Sequence, residues 1–393
     1  MRTVVAILIF ALLGNSGVAQ KDQYKFAQTY FGLQVDGLVG TDTPNFGSAR
    51  FLIGGTHFWQ KADFYISIPL MTKSLDGDHS DYAEGVITGF RYIPFGLSRK
   101  GPRPFIGAQW LTPEIRLGDG PKLEKSRFGI EGGFNLAFGS LYTVEVSGHY
   151  IFNNDPSYPT SRESVNMIAP PSYGFSFALK KYLDTTAGLS SPESKAYVQR
   201  RFDSFREEGR LSTWNFAIGL SANVPVSDLD FLKEYEFMPN RPPLSVYPDI
   251  AVGHYFHDLD AGVRASWRPM KLADQAYDLS YDIRQHRVAL EGFKFLFDYK
   301  GFVPFIGFTV GNDFISAELS DGELPKIEDD YSAFSYGITF GWDIRPTRIE
   351  NMILRTNLRY IVQSDENVGS INATGNNIEI NFIQLVIYPS RWK

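Results

Sequence analysis

Large apolar side chains recur at every second position through most of the chain, the spacing of strands with two unlike faces. Between Thr213 and Val224 one face carries Trp214, Phe216, Ile218, Leu220, Ala222 and Val224, and the other Thr213, Asn215, Ala217, Gly219, Ser221 and Asn223. Phe128–Phe138 and Phe334–Ile344 repeat the pattern, with Glu131 and Asn135 on the weaker face of the first and Ser335, Thr339 and Asp343 on that of the second. A soluble sandwich dresses its outer face with Lys, Glu and Arg. Here the polar face is mostly Gly, Ala, Ser, Thr and Asn, which suits a confined lumen. Large apolar residues toward lipid and small polar ones inward is the pattern of a transmembrane barrel. Strands cross lipid only as a closed ring, because every backbone donor and acceptor must be paired there. The pattern therefore predicts an all-β fold, a transmembrane antiparallel β-barrel.

The connections agree. Short turns at Trp59–Lys61, Leu97–Pro102 and Gly139–Ser140 alternate with longer polar stretches at Gly40–Ser48, Thr72–Ser80, Gly118–Lys125 and Asn153–Pro171. Short periplasmic turns and longer outer loops place both chain ends on the periplasmic side. The halves also correspond in order. Gly89–Tyr92 answers Gly292–Phe295, Pro104-Phe105-Ile106-Gly107 recurs as Pro304-Phe305-Ile306-Gly307, Phe31–Leu33 matches Phe216–Ile218, Phe128–Ile130 matches Tyr336–Ile338, and Val144–Tyr150 matches Leu354–Tyr360. Eight strands are expected in each half, near 28–38, 49–58, 62–71, 82–96, 103–117, 126–138, 141–152 and 172–182, then 212–224, 249–257, 260–268, 286–298, 302–317, 332–345, 350–363 and 376–389.

The expected organisation is thus a signal peptide at 1–19, a first eight-strand repeat at 20–182, a periplasmic linker at 183–211 and a second eight-strand repeat at 212–393. In the linker, Ser191-Pro192 is a helix start and Gly209 a stop, with Val198, Phe202 and Phe205 as an apolar stripe. This predicts an amphipathic helix that plugs or underlies a barrel, or simply links two domains. About sixteen strands close either as one barrel around an aqueous channel or as two tandem eight-stranded barrels filled by side chains. The long linker favours the tandem arrangement. The habit of one chain closing one barrel favours the single ring, which is the reading adopted from sequence.

Composition narrows the classes. The 393 residues are 43% hydrophobic, 15% aromatic and 21% charged, too apolar for a disordered chain. No cysteine is present, which excludes a disulfide framework or a thiolate zinc site. Mean hydropathy is −0.18, and beyond the N-terminus no apolar run approaches the roughly 18 residues of a membrane helix. A net charge of −6 without a basic block argues against nucleic acid as a partner. Arg2, the apolar stretch Val4–Leu13 and the small residues Ser16–Ala19 read as a secretory signal.

On this alternation, these connections and the repeated Pro-Phe-Ile-Gly, each half resembles the small eight-stranded outer-membrane barrels of Gram-negative bacteria. The whole is similar to outer-membrane β-barrel proteins of the Bacteroidetes, internally duplicated from an eight-stranded unit. The resemblance implies the cell outer membrane as location, with outer-membrane lipid, lipopolysaccharide and the barrel-assembly machinery as partners. One departure is the C-terminus, which runs on to Ser390-Arg391-Trp392-Lys393 instead of ending directly on an aromatic residue.

Little in the sequence points to chemistry. Glu145, Ser147 and His149 share one strand face, but alternate residues stand about 7 Å apart, too far for a direct Ser–His contact. Arg355, Asn357 and Arg359 hold the matching positions in the second half, so charge pairing inside a lumen is the simpler reading. His254 with His257, and the acidic stretch from Glu318 to Asp330, are weak metal candidates against a turn and a solvated loop. No enzyme activity and no cofactor are expected. Glu131, Glu145, His149, Asp343, Arg355 and Arg359 are the expected lumen-lining residues, and a passive porin-like channel for small solutes is the first functional expectation. The alternative is a non-conducting structural, adhesion or partner-binding protein, with residues 190–210 as a possible contact for a periplasmic partner.

Overall fold

The computed structural model describes residues 28–392 apart from 41–44, 59, 76–79, 96–100, 118–122, 125–126, 139–140, 153–156, 160, 163–164, 168–170, 184–191, 236, 239–244, 300, 323–324, 346, 348 and 365–370. The expected signal sequence lies outside the described residues. The first half forms eight long strands: β1 (Gln28–Val39), β2 (Phe46–His57), β3 (Ala62–Ser74), β4 (Ser80–Tyr92), β5 (Arg103–Leu117), β6 (Arg127–Phe138), β7 (Tyr142–Ile151) and β8 (Tyr173–Tyr182). Each pairs antiparallel with the next, and β8 returns to β1 with Tyr30 opposite Tyr182. Helix α1 (Pro192–Glu207) follows. The second half forms β9 (Thr213–Pro225), β10 (Ser245–Phe256), β11 (Ala261–Ala276), β12 (Leu279–Phe295), β13 (Phe302–Asp321), β14 (Ile327–Ile344), β15 (Met352–Gln363) and β16 (Asn377–Ile387), closed by pairing of β9 with β16.

The sixteen strands thus close as two barrels of eight, the tandem alternative, and not as one ring of sixteen. Either closure would pair every strand edge, as lipid requires; here β8 pairs with β1 within its own half. The walls are apolar at mid-height: Phe128, Ile130 and Phe134 point out from the first barrel, and Trp214, Phe216, Ile218, Ile306, Phe308 and Ile338 from the second, all exposed. No described helix is long and apolar enough to cross a membrane. Two closed rings with lipid-facing belts are transmembrane barrels, and their place is the outer membrane.

The two halves correspond at the turn before Pro104 and Pro304, with one shift in the strand that precedes it. Gly101 and Gly301 both take positive φ, 78° and 89°, three residues before the paired prolines. Arg91 lies opposite Gly107, however, whereas it is Phe293 that lies opposite Gly307. The structural counterpart of Arg91 is therefore Phe293 and not Lys294, so the Gly89–Tyr92 and Gly292–Phe295 segments match one residue out of step. The turn before β5 is longer than that before β13, which absorbs the offset.

A larger correction concerns the outer end of the second barrel. Much of 269–285 and 318–331, expected as loops, is strand: 269–276, 279–285, 318–321 and 327–331 belong to β11 to β14, and β11 turns into β12 across only Tyr277 and Asp278. The period of two persists there while the polarity of the faces inverts. Within the belt β11 turns Arg264 and Arg268 inward and Val263 and Trp267 outward; beyond it Met270, Leu272 and Ala276 are inside and Lys271 is outside. Leu279, Tyr281, Ile283, Ile315, Ala317 and Leu319 join the same buried cluster, together with Leu229, Leu232 and Phe237 from the β9–β10 connection. The hairpins therefore leave the membrane as a water-facing extension with an apolar interior, part of one buried cluster that also takes in Leu38 and Phe46 of the first barrel.

Helix α1 packs under the second barrel. Phe205 is buried against Leu211 and Ile349, with Val198 and Phe202 alongside. Arg201 donates to the carbonyl of Arg391 at 2.7 Å, and Phe202 lies 5.6 Å from the His257 ring in the β10–β11 turn. The helix ends in a Schellman motif: Arg210 N–H reaches the Phe205 carbonyl (2.8 Å), Gly209 N–H that of Arg206 (3.2 Å), and Gly209 has φ of 68°. Just beyond, the Arg210 guanidinium and the Ser204 hydroxyl hold the Glu208 carboxyl below its usual range.

Candidate functional site

The barrel interiors hold the dense polar chemistry. In the first, inward parity brings Tyr30 of β1, Asp63 and Tyr65 of β3, Arg91 of β4, Glu131 of β6, Glu145 of β7 and Lys180 of β8 together, all buried. Arg91 spans the lumen: Nη2 is 2.9 Å from Glu131 Oε2 and 3.0 Å from Glu145 Oε1. Lys180 Nζ donates to Glu145 at 2.6 Å and to Asp63 at 3.2 Å, while Tyr30 and Tyr65 donate to Asp63 (2.8 Å) and Glu131 (2.7 Å). The guanidinium of Arg91 also lies 3.9 Å from the centroid of the Tyr65 ring. Toward the outer end, Arg50 donates to Ser67 Oγ (2.7 Å) and to the carbonyl of Gly85 (2.6 Å).

The second barrel is filled differently. Near the short-turn end, where the first has Asp63, Arg91 and Lys180, it has an aromatic layer of Phe293, Phe295 and Phe305 with Arg355 stacked on Phe293 at 4.6 Å. Arg355 Nε donates to Asp343 Oδ1 at 2.6 Å. Above this, Glu379 of β16 accepts from Arg268 and Arg287, and Arg359 lies 3.5 Å away. Arg287 also donates to Asp313 (2.8 Å), Arg359 to Asp249 (2.9 Å), and Arg264 to Glu291 (2.6 Å) and Gln384 (2.8 Å). Arg264, Arg268, Arg287, Arg355 and Arg359 face Asp249, Glu291, Asp313, Asp343 and Glu379, so these buried charges balance one for one.

Of the expected lumen residues, the structure brings Glu131 with Glu145 around Arg91, joins Asp343 to Arg355, and sets Arg359 in the Asp249–Glu379 cluster. His149 stands apart, half-buried at the outer end, with its ring over Gly174 where a Cβ would lie 2.0 Å from Nε2. Glu145, drawn to Arg91 and Lys180, does not bond to it. His254 packs on Trp214 (5.1 Å) on the outer wall, while His257 packs on Phe202 below. Among the described residues no cluster of His, Asp and Glu has the arrangement of a metal site. Sequence reading missed Asp63, Arg91, Lys180, Arg264, Arg268, Arg287 and Glu379. For Arg91, Arg268 and Glu379 the signal was a charge between two apolar residues, as in Phe90-Arg91-Tyr92; Lys180 and Arg287 lack it.

No protein-family model matches the chain, and no curated protein matches its sequence. Among solved structures, Neisserial surface protein A is similar over 45% of this chain and 97% of its own, at 11% identity and a TM-score of 0.31. The attachment invasion locus protein of Yersinia pestis covers 45% of this chain and 96% of its own, at 11% identity and 0.29. The transport unit of the autotransporter AIDA-I from Escherichia coli covers 98% and 97%, at 9% identity and 0.20. Likeness at this level decides nothing about activity.

Proposed function

We propose that this is a non-conducting Gram-negative outer-membrane protein whose working surface is the water-facing extension of the second barrel. The observation that carries the reading is the filling of both lumens by ion pairs that run from wall to wall, Arg91 to Glu145 in one and Arg359 to Asp249 in the other. Eight-stranded rings leave room for side chains and little else, and a solute path would require separating buried charges from their partners. The extension supplies an ordered outer surface instead. Its outward positions carry Lys271, Asp282, Arg284, Glu318, Lys326 and Glu328, linked by pairs such as Lys271–Asp282 at 2.8 Å. A built, charged platform above a sealed barrel suits adhesion or partner binding better than the porin-like passage expected first. Its test is planar-bilayer recording of the folded full chain. No stepwise conductance is expected, and steady steps that vanish on boiling would overturn the reading.

A further inference from the structure

The two barrels touch through an aromatic seam at their short-turn ends. Phe58 of the β2–β3 turn lies 5.0 Å from Phe302, Phe64 lies 5.2 Å from Trp342, and His57 lies 5.8 Å from Trp342. Above the seam the curved walls part and leave an apolar crevice of about 520 Å³, between Ile53, Phe64 and Phe90 of the first barrel and Phe340, Leu358 and Ile383 of the second. That volume falls in the range of small-molecule sites, roughly 300–1,000 Å³, and such sites pair an apolar lining with a few placed polar groups. Here the polar groups are at the seam. Buried His57 Nδ1 and Trp342 Nε1 both lack a hydrogen-bond partner.

We infer that this crevice holds one acyl chain of a glycerophospholipid from the periplasmic leaflet, with the seam's His57 and Trp342, whose unpaired ring nitrogens are enclosed in this structure, turning to meet its ester and phosphate oxygens. Water does not fill an apolar gap at membrane depth, and the flanking belts leave hydrocarbon as the medium that reaches it. The short-turn end is the periplasmic side, where the leaflet is phospholipid, so the polar pair sits at headgroup level and the apolar cavity extends from it toward the bilayer centre. The lipid acts as the third surface of the interface and fills what the side chains leave open.

Gly55 gives a direct test, because a Cβ there meets only Gln28 O and His57 Nε2, both at an ordinary 3.6 Å. The full chain is reconstituted in phosphatidylethanolamine–phosphatidylglycerol nanodiscs, moved into mild detergent, and weighed by native mass spectrometry. Folding of each variant is checked by its heat-dependent migration. Wild type should retain about one phospholipid per chain; Gly55→Phe, which fills the crevice, and Trp342→Phe, which keeps an aromatic side chain and removes the donor, should each lower retention about tenfold. Equal retention by folded wild type and either folded variant would overturn the inference, as would a folded wild type that retains none or a preference for lipopolysaccharide when both lipids are offered.

Discussion

Glu379 is the residue on which most of the second lumen depends. Three arginines, Arg268, Arg287 and Arg359, converge on its carboxylate. Removing one member of a buried ion cluster strands the others away from water, at a cost of about 3–5 kcal/mol. Glu379→Ala should therefore destabilise the second barrel by that order in urea unfolding from lipid. A double replacement of Asp343 and Arg355 by apolar residues of similar volume should cost far less than either single change, since it leaves no orphan charge. Parity made the inward placement of such residues legible in the sequence, because a charge between two large apolar neighbours has only one face available. Which charge meets which was not legible. Arg91 and Glu145 lie on opposite walls, and alternation along one strand says nothing about what stands across a ring.

At the scale of elements, the helix was readable and its docking was not. Gly209 marked the stop because only a residue tolerant of positive φ serves there, but the burial of Phe205 against Ile349 required the second barrel to be in place. Phe205→Ala should free α1 and expose the bonds after Arg200, Arg201 and Arg206 to trypsin, a change read by limited proteolysis while both barrels stay intact. The extended hairpins were missed for a different reason. The lipid code, apolar outward, was applied along the whole strand, so the segment around Leu272 to Ile283 lost its strand signal where the code reverses. No glycine marks the turn at Tyr277 (φ 54°) either. Ile283→Ala deletes part of the extension's apolar interior and should cost about 2–5 kcal/mol. Protease cleavage near residues 270–285 on intact cells should rise, while the belt-level barrel remains resistant.

For the whole molecule, the central question left by the sequence was one ring or two, and composition, alternation and duplication were silent on it. Strand number is the same in both answers. The difference lies in whether β8 pairs with β1 or with β9, a contact between residues far apart in sequence. A protease site placed within residues 184–191 gives the corresponding measurement. After cleavage, electrophoresis without boiling should show two separately migrating, heat-sensitive species, because each backbone ladder closes on itself and only side chains join the barrels. A single species of full size would contradict the closure.

Two rings of equal strand number, alike in strand order and lying side by side, run the risk of exchanging strands as they form. At two matching positions the lumens carry opposite charge: Glu145 answers Arg355, and Arg50, opposite Gln34, answers Asp249, opposite Gly219. If β15 entered the first ring in place of β7, Arg355 would take the place of Glu145 between Arg91 and Lys180, leaving three cations to share Asp63 and Glu131. If β10 replaced β2, Asp249 would stand where Arg50 now lies 3.7 Å from Asp36. At these two positions the sister strand would bring a charge of the wrong sign into a dry interior, a cost that would work against exchange.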